Sequence, residues 1–166
     1  MSLTIRPARP EDCPTIVMFI RELAIFEKLE AEAVGTSEQF HLHLFGERPA
    51  CEAIMAEWQG EPAGFALYFT NFSTFMAKPG LYLEDLYVRQ AFRRRGIGKA
   101  LITTLAEIAL SRDYGRFEWS VLNWNSPAIA FYRALGAVAM DEWTVQRVSG
   151  PALEKMAAMS PKASLN

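Results

Sequence analysis

Cysteine is scarce in this 166-residue chain: Cys13 and Cys51 stand far apart, with no C-x-x-C spacing. That argues against a disulfide scaffold or a structural zinc module and for a reduced, cytoplasmic setting. Histidine is equally sparse. His41 and His43 lie two apart on a predicted helix and therefore face apart, so they make poor co-ligands and no metal is expected. The formal net charge is only −2, which denies the chain the positive field that binding to nucleic acid or an anionic membrane uses. No apolar run approaches the ~18 residues of a spanning helix, and no charged-then-apolar leader opens the chain. Neither a G-x-S-x-G elbow nor a cysteine with a plausible histidine partner supports a covalent nucleophile. What is present is ordinary for a globular protein: 51% hydrophobic and 22% charged residues, at a length that suits one domain with one core.

The periodicities alternate between strand and helix. Leu3 to Arg6 reads as a short strand. Pro10 suits the start of a helix whose apolar stripe (Ile16, Phe19, Ile20, Leu23, Ile25, Phe26) runs toward Lys28. Thr36-Ser37-Glu38-Gln39 is a capping box opening a second helix that stops at Gly46. Residues 51–58 and 63–70 form a hairpin pair around Gln59-Gly60-Glu61-Pro62. Then come a strand at 81–88, a long helix over ~98–112, a strand from Phe117 to Leu122 and a helix from Pro127 to Gly136. Val138–Met140 and Trp143–Val148 suggest a last hairpin, followed by a short helix around Ala152–Ala158. Strands interleaved with helices, with hairpins toward both ends, imply a mixed sheet covered by helices. A single domain over residues 1–158 is expected, with a fraying tail over 159–166.

The most informative stretch is Leu81 to Leu101, LYLEDLYVRQAFRRRGIGKAL. Its strand carries adjacent acids, Glu84 and Asp85, which strand alternation sends to opposite faces. An Arg-rich connection follows, then Gly96-Ile97-Gly98 and a helix beginning near Lys99. Glycines at a strand-to-helix junction let backbone N–H groups approach a ligand, and the helix N-terminus adds partial positive charge, so the junction suits phosphate or pyrophosphate. A Walker A loop needs four residues between its glycines, and here there is one. A dinucleotide fingerprint would place Leu101 where a small residue must sit, and Glu118, 20 residues after Gly98, opens the next strand instead of ending it. A phosphorylated cofactor meeting a cationic substrate is the chemistry that remains.

Arg93-x-x-Gly96-x-Gly98 resembles the acetyl-CoA pyrophosphate loop of the GCN5-related N-acetyltransferase (GNAT) family. The block from Asn123 to Ala137, with Asn125-x-x-Ala128-x-x-Phe131-Tyr132, resembles that family's second signature. Arg21-Glu22-Leu23-Ala24, Tyr82-Leu83-Glu84-Asp85 and the Trp124-Asn125 block are similar to its diamine (spermidine/spermine) branch. The resemblance spans roughly residues 3 to 157. It implies an α/β (mixed α+β) fold, with a central, mostly antiparallel mixed sheet of six to seven strands flanked by helices. It also implies acetyl-CoA as co-substrate, a small-molecule amine acceptor and a homodimer.

The resemblance also implies roles. Leu86, Tyr87 and Val88 would offer backbone groups to the cofactor arm. Arg93, Arg94, Arg95, Gly96, Ile97, Gly98 and Lys99 would hold the pyrophosphate, and Asn125, Ser126, Pro127 and Ala128 would complete the cofactor site. Tyr132 would protonate the leaving thiolate. Glu84 would act as a catalytic and acceptor-binding acid, with Phe26, Glu27, Glu118, Trp119 and Ser120 also lining the acceptor site. Taken without the resemblance, Tyr132 reads as a packing residue of an amphipathic helix and the three arginines as a solvated face. A non-catalytic acyl-CoA sensor and an interaction module remain the alternatives, and the acceptor itself stays open among diamines, polyamines and lysine- or thialysine-like amino acids.

Overall fold

A computed structural model describes residues 2–161. The chain divides into two units after Ser120. The first is built on a five-stranded sheet in sequential order: β1 (Leu3–Pro7), β2 (Glu52–Trp58), β3 (Glu61–Ser73), β4 (Lys78–Val88) and β5 (Phe117–Trp119). The first three pairings are antiparallel, and β4–β5 is parallel. The β2–β3 hairpin turns on Gln59 and Gly60, both at positive φ (53° and 83°), the backbone twist that tight two-residue hairpins favour.

Helices cover both faces. On one, α1 (Cys13–Glu27) and α2 (Ser37–Phe45) enclose a core of Cys13, Ile16, Phe19, Leu44, Ala53, Met55, Phe65, Leu67 and Tyr87. The Thr36 capping box is formed as expected: Gln39 N donates to Thr36 Oγ1 at 3.3 Å and Thr36 N to Gln39 Oε1 at 2.9 Å. On the other face lies α3 (Ile97–Ser111), which buries Ile97, Leu101, Ile102, Leu105 and Ala109. The apolar stripe of α1 does not stay buried to its end. Ile25 and Phe26 are 60% and 44% exposed, and α1 stops at Lys28, which takes the left-handed conformation (φ 61°).

The second unit contains α4 (Ser126–Ala134) and α5 (Gly150–Ala157). The terminal hairpin expected at 138–148 is not formed among the described residues, so the sheet has five strands where six to seven were expected. Its turn exists, with Trp143 N donating to Met140 O at 3.2 Å. The flanking segments have no strand partner, however, and their apolar side chains (Val138, Met140, Trp143, Val145) are exposed. A β-favouring pattern becomes a strand only where another edge completes its ladder. β5 likewise ends at Trp119, short of the expected Leu122. The expected tail lies outside the described residues from position 162 onward.

Candidate active site

Two features of β4 create the site. Pairing with β5 extends only over Leu81–Leu83, so from Glu84 onward the β5-facing edge of β4 has no ladder among the described residues. On the β3 side, Leu83 pairs with Tyr68 and Asp85 with Leu67, leaving Glu84 as the extra residue of a bulge. A bulge disrupts the ladder locally and re-aims side chains, so the simple alternation expected for Glu84 and Asp85 fails here. Glu84 is exposed. Asp85 lies on the α1 face beside Leu67 and is mostly buried.

That burial, reinforced by the charges of Glu84 and Glu27, pushes the Asp85 carboxyl up to about 6. Glu27, the last residue of α1, is also raised by burial. Three acids are therefore electrostatically linked at the point where β4 leaves its neighbour. Asp85 was not singled out as a site residue from sequence, because its exposure to Glu27 depends on the bulge. The adjacent-acid pair was the available signal.

Beyond β4, Arg89 and a 3₁₀ turn (Gln90–Phe92) lead to Arg94 and Gly96, both left-handed (φ 63° and 75°). The first turn of α3 then presents the N–H groups of Ile97, Gly98 and Lys99 ahead of the first helical bond, from Ala100 N to Gly96 O at 2.9 Å. A Cβ at Gly96 would meet nothing within 4 Å, and one at Gly98 only Val88 Cγ2 at 3.8 Å. The protein's own packing does not require these positions to be bare. The left-handed backbone of Gly96 favours glycine by itself, whereas Gly98 has neither a positive φ nor a close neighbour, and the free N–H donors with the helix dipole suit an anion.

The arginines divide their work. Arg93 folds back along the surface: its Nε donates to Val88 O at 3.0 Å, and its guanidinium lies 5.3 Å from the Phe26 ring centre and 6.0 Å from that of Tyr87. Arg95 lies 5.1 Å from the Trp58 ring centre. Arg94, between them, is exposed on the left-handed turn.

On the sheet surface, Tyr82 pairs in register with Phe69 and Glu118. The Tyr82 hydroxyl shares a 2.9 Å hydrogen bond with Ser120 Oγ, and Glu118 is salt-bridged to Arg116 Nε at 2.8 Å. Trp119 pairs with Leu83 and meets the Phe117 ring at a tilt, with centres 4.9 Å apart, on the opposite face from Glu118. The structure therefore groups Glu27, Glu84 and Asp85, sets Glu118 and Ser120 beside Tyr82, and turns Trp119 away from Glu118.

In the second unit, Asn125 caps α4, its Oδ1 accepting from Ala128 N at 3.4 Å, with Pro127 in the first turn. Phe131 and Tyr132 follow on the same helix with ring centres 5.4 Å apart. Among the described residues no group of three or more His, Cys, Asp or Glu could hold a metal.

The sequence model of the acetyltransferase (GNAT) family matches residues 18–137. The chain belongs to this family. It is an acyltransferase in a family of N-acetyltransferases. A thialysine N-epsilon-acetyltransferase of Sus scrofa is 36% identical over 167 residues, covering 94% of this chain and 98% of the relative. L-ornithine N5-acetyltransferase NATA1 of Arabidopsis thaliana is 32% identical, covering 90% and 86%. Among solved structures, an integron cassette protein from the mobile metagenome of V. cholerae superposes with a TM-score of 0.79 at 28% identity, covering 95% of this chain and 98% of that one.

Proposed function

We propose that this GNAT enzyme transfers an acetyl group from acetyl-CoA to a primary amine of a small acceptor with more than one charged centre, by direct transfer within a single catalytic domain over residues 1–158. The acceptor class is a diamine, a polyamine or a lysine-, thialysine- or ornithine-like amino acid. The observation that carries this reading is the trio Glu27, Glu84 and Asp85 at the splayed part of β4, one strand-end away from a bare anion cradle. Relatives named for ornithine and thialysine acetylation support the same class.

Bound acetyl-CoA would supply a thioester carbonyl open to a neutral amine. The N–H groups of Ile97, Gly98 and Lys99 suit a pyrophosphate, and the edge of Leu86–Val88 not paired with β5 suits an extended arm. An acceptor ammonium, near pKa ~10.4 for a lysine-like amine, must lose a proton before attack. Glu84, exposed at the bulge, is positioned to take it directly or through water. Asp85 and Glu27, costly to ionise where they sit, would gain most from a neighbouring cation on the acceptor. Tyr132 Oη is the proton donor for the leaving thiolate. The enzyme works as a homodimer in the cytoplasm, needs no metal and engages neither nucleic acid nor membrane. A thiol-release assay over spermidine, lysine, ornithine, thialysine and simple alkylamines tests the reading; no thiol release with any amine would overturn it.

A further inference from the structure

Two parts of the first unit have to act together if the chain works as proposed, and they lie on different elements. One is the anion cradle of residues 94–99, at the start of α3. The other is the end of α1, which carries Glu27. A chain of side-chain contacts joins them. The Tyr87 hydroxyl donates to Glu22 Oε2 at 2.7 Å, and Arg89 Nη2 reaches Glu22 Oε1 at 3.2 Å. Both oxygens of one α1 carboxylate therefore hold the segment that leads out of β4. Six residues after Tyr87, Arg93 closes the connection from the other side, with its Nε on Val88 O and its guanidinium over both Tyr87 and Phe26. Arg94, the next residue, makes the left-handed turn into the cradle.

The Tyr87 ring packs in the core, and these contacts are made at its polar edge. Glu22, Tyr87 and Arg89 line a shallow cavity of about 300 Å³, together with Ile25, Gln90 and Ala91. Ile25 is 60% exposed, so the last turn of α1 has little apolar burial to hold it. Its position rests on directed bonds: the Glu22 contacts, the Arg93–Phe26 stack, and the cap in which Lys28 N and Leu29 N bond Ile25 O and Ala24 O at 3.1 and 2.8 Å. Segments of this kind open at low free energy, and a ligand that stiffens one end of such a chain stiffens the other. The Glu22–Tyr87 bond is also charge-assisted, the kind that resists exchange with water. The buried phenol, pushed up to about 12 by its surroundings and by Glu22, remains a donor across the ordinary pH range.

We propose that Glu22, through Tyr87 and Arg89, is a positioning residue that couples filling of the anion cradle to ordering of the end of α1, so that Glu27 is set for the acceptor only once the cofactor is bound. This rests on the reading of the cradle as a CoA site and of Glu27 as an acceptor residue.

The test is amide hydrogen exchange of the full chain with and without CoA. In the wild type, CoA should slow exchange at residues 94–99 and also at Lys28 and Leu29, the latter by at least threefold. In Glu22→Gln, which loses the ion pair with Arg89, and in Arg89→Met, which leaves the buried Tyr87 in place, protection of residues 94–99 should persist. Protection of Lys28 and Leu29 should then fall below half its wild-type factor. A residue that merely stabilised the fold would loosen α1 equally with and without CoA, leaving that protection factor unchanged, and this result would overturn the proposal. So would a wild type in which CoA protects the cradle and not the end of α1. Absence of protection at both segments in the wild type would instead remove the cofactor reading, and the coupling with it.

Discussion

Val88 Cγ2, at 3.8 Å, is the neighbour that a Cβ placed on Gly98 would meet outside its own helix. Gly98 sits in the first turn of a helix without needing positive φ, so alanine there should improve folding by about 0.5–1 kcal/mol, as it does in helices generally. In the proposed complex the same methyl group would stand where a pyrophosphate approaches the backbone. Gly98→Ala should therefore raise Tm while weakening CoA binding, and Gly98→Val should weaken it further. Isothermal titration with CoA on folded variants checks this; unchanged affinity in Gly98→Val would remove the cradle assignment. Gly96→Ala differs, because φ 75° strains any residue with a Cβ and both folding and binding should suffer.

The Asp85 carboxyl titrates near 6 in the folded chain against 3.8 for the reference group. Between these values the folded state retains a proton that the unfolded state has lost. Stability contributed by this group is thus present below pH ~4, is lost as pH rises to about 6, and levels off above that, by up to roughly 3 kcal/mol at 1.36 kcal/mol per pKa unit. Asp85→Asn removes the ionisation and keeps the shape. The stability difference between variant and wild type should grow in favour of the variant from pH 4 to 6.5. Denaturant titrations at each pH measure it, and a difference that does not change with pH would mean that Asp85 ionises freely.

Local signals were legible in the sequence wherever a few neighbouring residues decide the backbone. Thr36 and Gln39 cap each other because both partners lie within one turn, and Gln59-Gly60 closes a hairpin because two adjacent residues carry the twist. The Gly96-x-Gly98 junction is of the same kind. The bulge at Glu84 is not, since it arises from how β4 registers against Leu67 and Tyr68 on β3, 17 and 16 residues upstream. Asp85 could be read as an outward or an inward acid until that register was known. The last hairpin fails for a related reason: Trp143 to Val148 has the alternation of a strand, but alternation cannot say whether an edge is there to pair with it.

Tyr132 lies on α4, one residue after Phe131 in the block beginning at Asn125. If it protonates the leaving thiolate, Tyr132→Phe should lower kcat by roughly 10²-fold with little change in CoA affinity, the usual scale for a general acid. Steady-state kinetics at neutral pH, paired with CoA titration, separates the two effects. Full activity in the variant would assign that proton to water.

Val138, Trp143 and Val145 are each more than 75% exposed, in segments with strand-like patterning and no strand partner among the described residues. A second copy supplying the missing edge would cover them. Light scattering should give a dimer at micromolar concentration, and Trp143→Glu with Val145→Lys should shift it toward monomer. A wild-type monomer at that concentration would overturn the expectation.

Glu27, Glu84 and Asp85 should together make acceptor choice depend on charge. Bound as proposed, a diamine or basic amino acid would place its second charged centre where Asp85 and Glu27 are penalised for ionising alone, whereas an alkylamine of equal length would leave them uncompensated. Losing one charge-assisted contact costs about 1.5–3 kcal/mol, so Asp85→Asn should raise KM for spermidine or ornithine by tens of times and leave an alkylamine nearly unaffected. Glu84→Gln should lower kcat for every acceptor if Glu84 takes the proton, since all must become neutral before attack. Binding of a dication should also release a proton from Asp85 near pH 6, because the new positive charge lowers its pKa; calorimetry in two buffers of different ionisation enthalpy reads this directly. Equal kcat/KM for spermidine and the matched alkylamine in the wild type would show that the three acids do not read charge.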